Sequence, residues 1–248
     1  MERIGRNPLT LVALVLLAAL VGAGVTWIVQ RAAPGSLSAV DQARVETVVR
    51  DYVLAHPEII PQAMQRLQEG ETGKTIAANR AQIVEPFDGA WAGNPKGDVT
   101  LVEYFDYNCG YCRSSLPTIA ALIERDPNVK IVFREWPILS EESVTAAKIS
   151  LAAAAQGKFK VFHDALYAAG PVTAESITVT ARASGIDMAQ AAALRPRAEA
   201  EIAANRAVAQ KLGLTGTPSW VIGNRAVSAA LPLEELEKAI KDARAAKS

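Results

Sequence analysis

The chain carries two cysteines, Cys109 and Cys112, three positions apart and just downstream of the apolar run VTLVEYF at residues 99–105. That placement constrains the fold more than any other feature. A run that is apolar almost throughout reads as a central strand covered on both faces. After CGYC, apolar residues recur at Leu116, Ile119, Ala120 and Ile123, a helical stripe that ends near Arg125 before Pro127. Residues 129–135, VKIVFRE, supply the next strand. A strand, a cysteine turn, a helix and a second strand form a crossover of the length that joins parallel neighbours with right-handed connection.

Two cysteines exclude a disulfide-stapled scaffold and a four-cysteine zinc site. A mixed zinc site would need further ligands, and the two histidines, His56 and His163, stand at no finger-like spacing. No metal site is therefore expected. Two thiolates suit Cu(I), although no methionine cluster stands near them, and a Cu(I)-sequestering role is the alternative function. The position favours redox chemistry. Where a strand feeds a helix, the first sulfur lies at the helix N-terminus, where unpaired N–H groups and the dipole favour the thiolate. Cys109 is then the attacking nucleophile, and Cys112, one turn on and shielded, resolves the mixed disulfide.

The 26 basic and 26 acidic side chains cancel, so the global charge advertises neither nucleic acid nor an anionic surface. Half the residues are hydrophobic, enough for a sizeable core. At 248 residues the expectation is one full domain with appendages.

From Leu9 to Val29 no residue is charged, and Arg3 and Arg6 precede the run. It reads as a transmembrane anchor or as a signal segment cleaved after Val21-Gly22-Ala23. Either reading exports the remainder to a compartment where disulfides persist, the periplasm. The chain divides accordingly into an anchor or signal segment with linker at 1–35, a helical appendage at 36–80 and a catalytic domain at 81–248.

In the appendage, Ser38 with Asp41 marks a helix start, and Val45, Val48, Val49, Tyr52 and Val53 form its stripe. After His56-Pro57 the stripe resumes at Ile59, Ile60, Ala63, Met64 and Leu67 until Gly70. Residues 86–98 are turn chemistry. A helical insertion at about 140–212 starts at Ser140, Thr173 and Asp187 and breaks at Gly157, Gly170, Gly185 and Gly213. TPSWVIGN, the Gly223-Asn224 turn and RAVSAA then make a hairpin, and a last helix runs from about Pro232 to Ala245.

VTLVEYFDYNCGYCR, the threonine-proline of GTPSW and the long insertion between them resemble the DsbA-like branch of the thioredoxin superfamily of thiol-disulfide oxidoreductases. DYVLAHPEIIPQAMQRL resembles, more narrowly, the N-terminal segment of ScsC-like and Com1-like members. The resemblance implies an α/β thioredoxin fold with an inserted helical domain and catalysis of disulfide formation or isomerisation without a cofactor. It implies cysteine-containing client proteins and a redox partner, with no nucleic acid. It also implies a homo-oligomer, dimer or trimer, through residues 40–70.

Three positions carry over. Glu103 shares a strand face with Leu101 and Phe105; buried below the dithiol it would relay the Cys112 proton, whereas at a solvated strand end it would do nothing. Pro218 matches the cis-proline that faces the dithiol, presenting the Thr217 backbone as an edge for an extended client. Pro117 matches a structural helix proline. Gly110 and Tyr111 complete the client-facing surface and tune the potential, although many relatives carry proline directly after the first cysteine. His163 is expected to be structural, and His56 to cap the second helix.

Overall fold

The computed structural model describes residues 8–32 and 38–246. Arg3, Arg6 and the linker at 33–37 lie outside the described residues. The chain divides into two compact units, Met1–Gln62 and Ala63–Ser248.

Helix α1 spans Pro8–Ala32 and α2 spans Ala39–Ala55. Ser38 caps α2, its Oγ accepting the Asp41 N–H at 3.2 Å, as the serine–aspartate signal leads one to expect. The membrane anchor finds no support: among the described residues no helix is long and apolar enough to cross a membrane. Helix α3, Ile59–Ala78, runs past the expected stop at Gly70. A helical glycine costs only about 1 kcal/mol, and the extra turns bury Ile76 in the core.

In the second unit, α4 (Arg80–Val84) leads to β1 (Trp91–Gly93) and β2 (Val99–Phe105). Helix α5 (Gly110–Arg125) and β3 (Val129–Glu135) complete the crossover. Four helices follow: α6 (Glu141–Ala155), α7 (Phe159–Ala168), α8 (Ala174–Ala183) and α9 (Met188–Lys211). Strands β4 (Ser219–Ile222) and β5 (Arg225–Val227) and helix α10 (Leu233–Ala245) close the unit. The sheet order is β1-β3-β2-β4-β5, with β2 and β3 parallel and the other pairs antiparallel.

Strand β1 lies inside the stretch read as turns. Three residues carry no periodicity to read, and the strand exists through its antiparallel pairing of Trp91 with Val132. A Cβ on Gly93 would stand 2.6 Å from the Val129 carbonyl oxygen, so only glycine permits that approach.

Both sheet faces are covered, which is why β2 and β3 read as unbroken apolar runs. Leu101, Phe105, Ile131, Phe133 and Trp220 face α5, α10 and the helical insertion. Val102, Tyr104, Val132 and Val221 face Ile76 of α3, Ile83 of α4 and Val208 of α9. In the insertion, Ser140 caps α6, Thr173 and Ser176 form a capping box on α8, and Asp187 caps α9 through Ala189 and Gln190.

Candidate active site

The topology brings two distant segments together. Strand β4 begins at Ser219 opposite Tyr104, antiparallel to β2, so the residues just before β4 and just after β2 share one end of the sheet. Thr217-Pro218 and the cysteine turn occupy that end.

Cys109 is the N-cap of α5, its sulfur standing where a capping oxygen would stand. Its Sγ accepts the Cys112 N–H at 3.4 Å, and in the thiol form it donates to the Thr217 carbonyl at 3.1 Å. Its pKa is lowered to about 5. The largest cause is the hydrogen bond from the Cys112 thiol to the thiolate. The Thr217 side chain and the Cys112 and Tyr111 N–H groups add to it, and burial opposes them. Thr217 thus serves both forms, its carbonyl the thiol and its side chain the thiolate.

Cys112 is 2% exposed, and burial drives its pKa far upward, followed by its hydrogen bond to Cys109 and the Glu103 charge. The two cysteines are described as free thiols. One sulfur is poised as an anion and the other is held as a thiol.

Glu103, 2% exposed, lies on β2 opposite Phe133 and Trp220, on the face that carries the cysteines, so the solvated strand-end alternative falls. Its Oε1 has no hydrogen-bond partner. Burial first, then the Cys109 charge, pushes its pKa to about 8.

The Thr217–Pro218 peptide bond is cis. Beside it a groove is lined by Tyr111, Thr215, Gly216, Thr217, Pro218 and Ser228. Tyr111 is 71% exposed, a large aromatic side chain facing solvent two residues after the reactive cysteine. A Cβ on Gly110 would meet nothing within 4 Å. Pro117 sits within an unbroken α5.

Sequence reasoning missed Asp106, Tyr107 and Glu135, buried polar residues on and near the turn. Tyr107 donates to Ser150 Oγ at 2.8 Å and lies 3.1 Å from His163 Nδ1. His163 is buried among Phe105, Phe133, Phe159 and Tyr167, and burial lowers its pKa to about 3. It is therefore neutral and structural, as expected, although its Nε2 has no partner. Glu135 is buried with its pKa raised by burial, and Asp106 is buried in the turn itself. For Asp106 and Glu135 a polar residue at the end of an apolar strand is the only signal, and solvated strand ends look the same.

His56 is the C-cap of α2 rather than the cap of the following helix. Among the described residues no group of three or more histidine, cysteine, aspartate or glutamate side chains could hold a metal ion.

Residues 87–242 match the profile of the thioredoxin family, and residues 41–72 match that of the copper resistance protein ScsC N-terminal domain. The chain belongs to the thioredoxin family, and its structural neighbours are ScsC, DsbA-like and thioredoxin-like oxidoreductases.

Among solved structures it is similar to a thioredoxin-like oxidoreductase from Silicibacter pomeroyi, with 42% identity and a TM-score of 0.63 over 67% of this chain and 98% of that one. It is similar to the thiol-disulfide exchange protein alpha-DsbA2 from Wolbachia pipientis, with 29% identity and a TM-score of 0.64 over 71% and 97%. A periplasmic thioredoxin-like protein from Salmonella enterica is 26% identical, with a TM-score of 0.59 over 67% and 95%. A Proteus mirabilis ScsC variant, 23% identical with a TM-score of 0.64 over 86% and 99%, shares the fold. Among curated proteins, the Na(+)/H(+) antiporter NhaA 3 of Salinispora tropica is 34% identical over 87 residues. The chain spans only 13% of that protein's length, so antiport does not follow.

Proposed function

We propose that this chain is an exported thiol-disulfide oxidoreductase that forms or rearranges disulfides in cysteine-containing client proteins. The single observation that supports it best is the asymmetry of the dithiol, with Cys109 at about 5 and Cys112 held as a buried thiol. In the oxidising direction a client thiolate attacks Cys109 of the Cys109–Cys112 disulfide. Cys112 leaves as a thiolate and takes a proton, for which Glu103 is the nearby carboxyl donor. A second client thiolate attacks its partner sulfur, a client disulfide forms, and Cys109 leaves as a stable thiolate. The dithiol is then re-oxidised by a redox partner. A stabilised Cys109 thiolate lowers the energy of the reduced form, which favours this direction. In isomerisation the same steps begin from the Cys109 thiolate attacking a client disulfide.

Thr217, Pro218, Gly110 and Tyr111 are assigned to client binding, the groove beside the cis bond accepting an extended segment. The periplasm is the proposed compartment, supported by the similar periplasmic protein of Salmonella enterica, with residues 9–29 as a cleaved signal. Residues 36–80 are proposed as an appendage whose segment 40–70 joins copies of the chain. Val45, Val48, Tyr52, Met64 and Leu67 are exposed there.

The test is turnover of reduced and of scrambled ribonuclease beside a Cu(I) titration. Turnover of either client is the expected result. Tight Cu(I) binding with no turnover of either would replace this reading by copper sequestration.

A further inference from the structure

Strands β4 and β5 pair as far as Trp220 with Val227, so Ser219 and Ser228 stand next in that register. Beyond them the two chains become the walls of the groove, residues 215–218 on one side and residues 228–230 on the other. Here hydroxyl groups take over from main-chain pairing. The Oγ of Ser219, a fully buried residue, bonds the Gly216 carbonyl at 2.5 Å and the Ser228 hydroxyl at 2.7 Å. Ser228 Oγ accepts the Thr215 N–H at 3.1 Å. The two serines therefore close the bend at 215–219 on itself and rope it to the opposite wall.

These bonds are selective about which main-chain groups they use. The Thr215 donor and the Gly216 acceptor are taken by side chains, a local substitute for ladder pairing. Thr217, the next residue, keeps its own groups for other partners. Its carbonyl accepts the Cys109 thiol at 3.1 Å, a bond that ends when Cys109 ionises, because a thiolate has no proton to donate. Among the described residues the Thr217 N–H has no acceptor. One donor and one acceptor on a single residue are what the opposite residue exchanges in an antiparallel hydrogen-bonded pair. A loop left unpinned would have to be ordered by the client, which would cost part of the binding energy.

We propose that Ser228, acting through Ser219 and Thr215, is a positioning residue for client association, holding the two walls of the groove at the spacing that leaves the Thr217 main chain free to pair. The inference rests on the thiol-disulfide reading above. It concerns association rather than attack: both hydroxyls bond the groove's own walls, whereas the attacking sulfur draws on the Cys112 N–H at the start of α5.

The test mixes the reduced chain with one of two disulfides, a disulfide-linked peptide or a bis(nitroaryl) disulfide, which has no main chain to pair. The second-order rate constant for loss of free thiol is measured with each after acid quenching. In Ser228→Ala the ratio of the peptide constant to the nitroaryl constant should fall about fivefold, the worth of one hydrogen bond. Ser228→Thr, which keeps the hydroxyl, should restore most of the native ratio. Ser219→Ala should lower the ratio in the same way and decides the matter if Ser228→Ala does not fold. An unchanged ratio, whether both rates fall together or neither moves, would overturn the proposal, as would a Ser228→Thr variant no better than Ser228→Ala. Failure of the native protein to react with the peptide would instead overturn the exchange reading, and the proposal with it.

Discussion

The Cys109 thiol donates to the carbonyl of Thr217, 3.1 Å away and 108 residues further along the chain. A client segment pairing with the Thr217 backbone would therefore reach the sulfur that attacks it. Because Cys112 is buried behind that sulfur, the two cysteines should fail differently. Cys109→Ser should abolish exchange, and Cys112→Ser should accumulate mixed disulfides with clients, visible on non-reducing gels. Equal trapping by the two variants would mean that the nucleophile is misassigned.

The ionisation of Cys109 makes the reduced protein's stability depend on pH. Its pKa falls from 9.0 to about 5 on folding, so the stabilisation is complete above about pH 9 and is lost as pH falls through about 5. Thiolate absorbance of the reduced protein should rise with a midpoint near 5. The stability gap between the reduced native protein and Cys109→Ser should widen from pH 5 to pH 9. A midpoint at the ordinary thiol value would remove the basis for Cys109 as nucleophile.

Glu103 has the opposite sign. Its pKa rises from 4.5 to about 8 on folding, so the carboxyl costs nothing below about pH 4.5 and its full penalty above about pH 8. Glu103→Gln should stabilise the protein increasingly across that window, by up to about 5 kcal/mol at its alkaline end, while slowing resolution of the mixed disulfide. Denaturant melts at three pH values, paired with single-turnover exchange, check both halves. Stabilisation without slower resolution would leave Glu103 with no part in proton transfer.

The sequence pattern exposed the crossover at 99–135, the starts and stops of the insertion and the two cysteines, because each rests on local chemistry: caps, breakers and a continuous apolar run. What it hid depends on tertiary contact. Strand β1 is three residues held by pairing with β3, and α3 continues past Gly70 because Ile76 has a core to enter. Asp106 and Glu135 look like solvated polar residues at strand ends until the fold buries them. Glu103 was legible only as an alternation on β2, and packing decided it.

Assembly is open to a direct test. Val45, Val48 and Tyr52 on α2 are exposed, and no residue of that helix is buried. A fragment beginning at residue 36 should scatter light as a dimer or trimer, and a Val45→Glu, Val48→Glu double variant should be monomeric. A monomeric native fragment at tens of micromolar would show that the stripe does not join copies. A fragment starting near residue 82 is a poor comparison, since it discards the buried Ile76.

The central claim is that Cys109 and Cys112 interconvert as one two-electron couple. The most direct measurement equilibrates the protein with graded ratios of reduced to oxidised glutathione and counts free thiols after acid quenching. The two thiols should vanish together in a single transition as the buffer becomes oxidising, leaving an intramolecular disulfide and no bound glutathione. Thiols that persist at every ratio, or that disappear one at a time as stable glutathione adducts, would contradict the account.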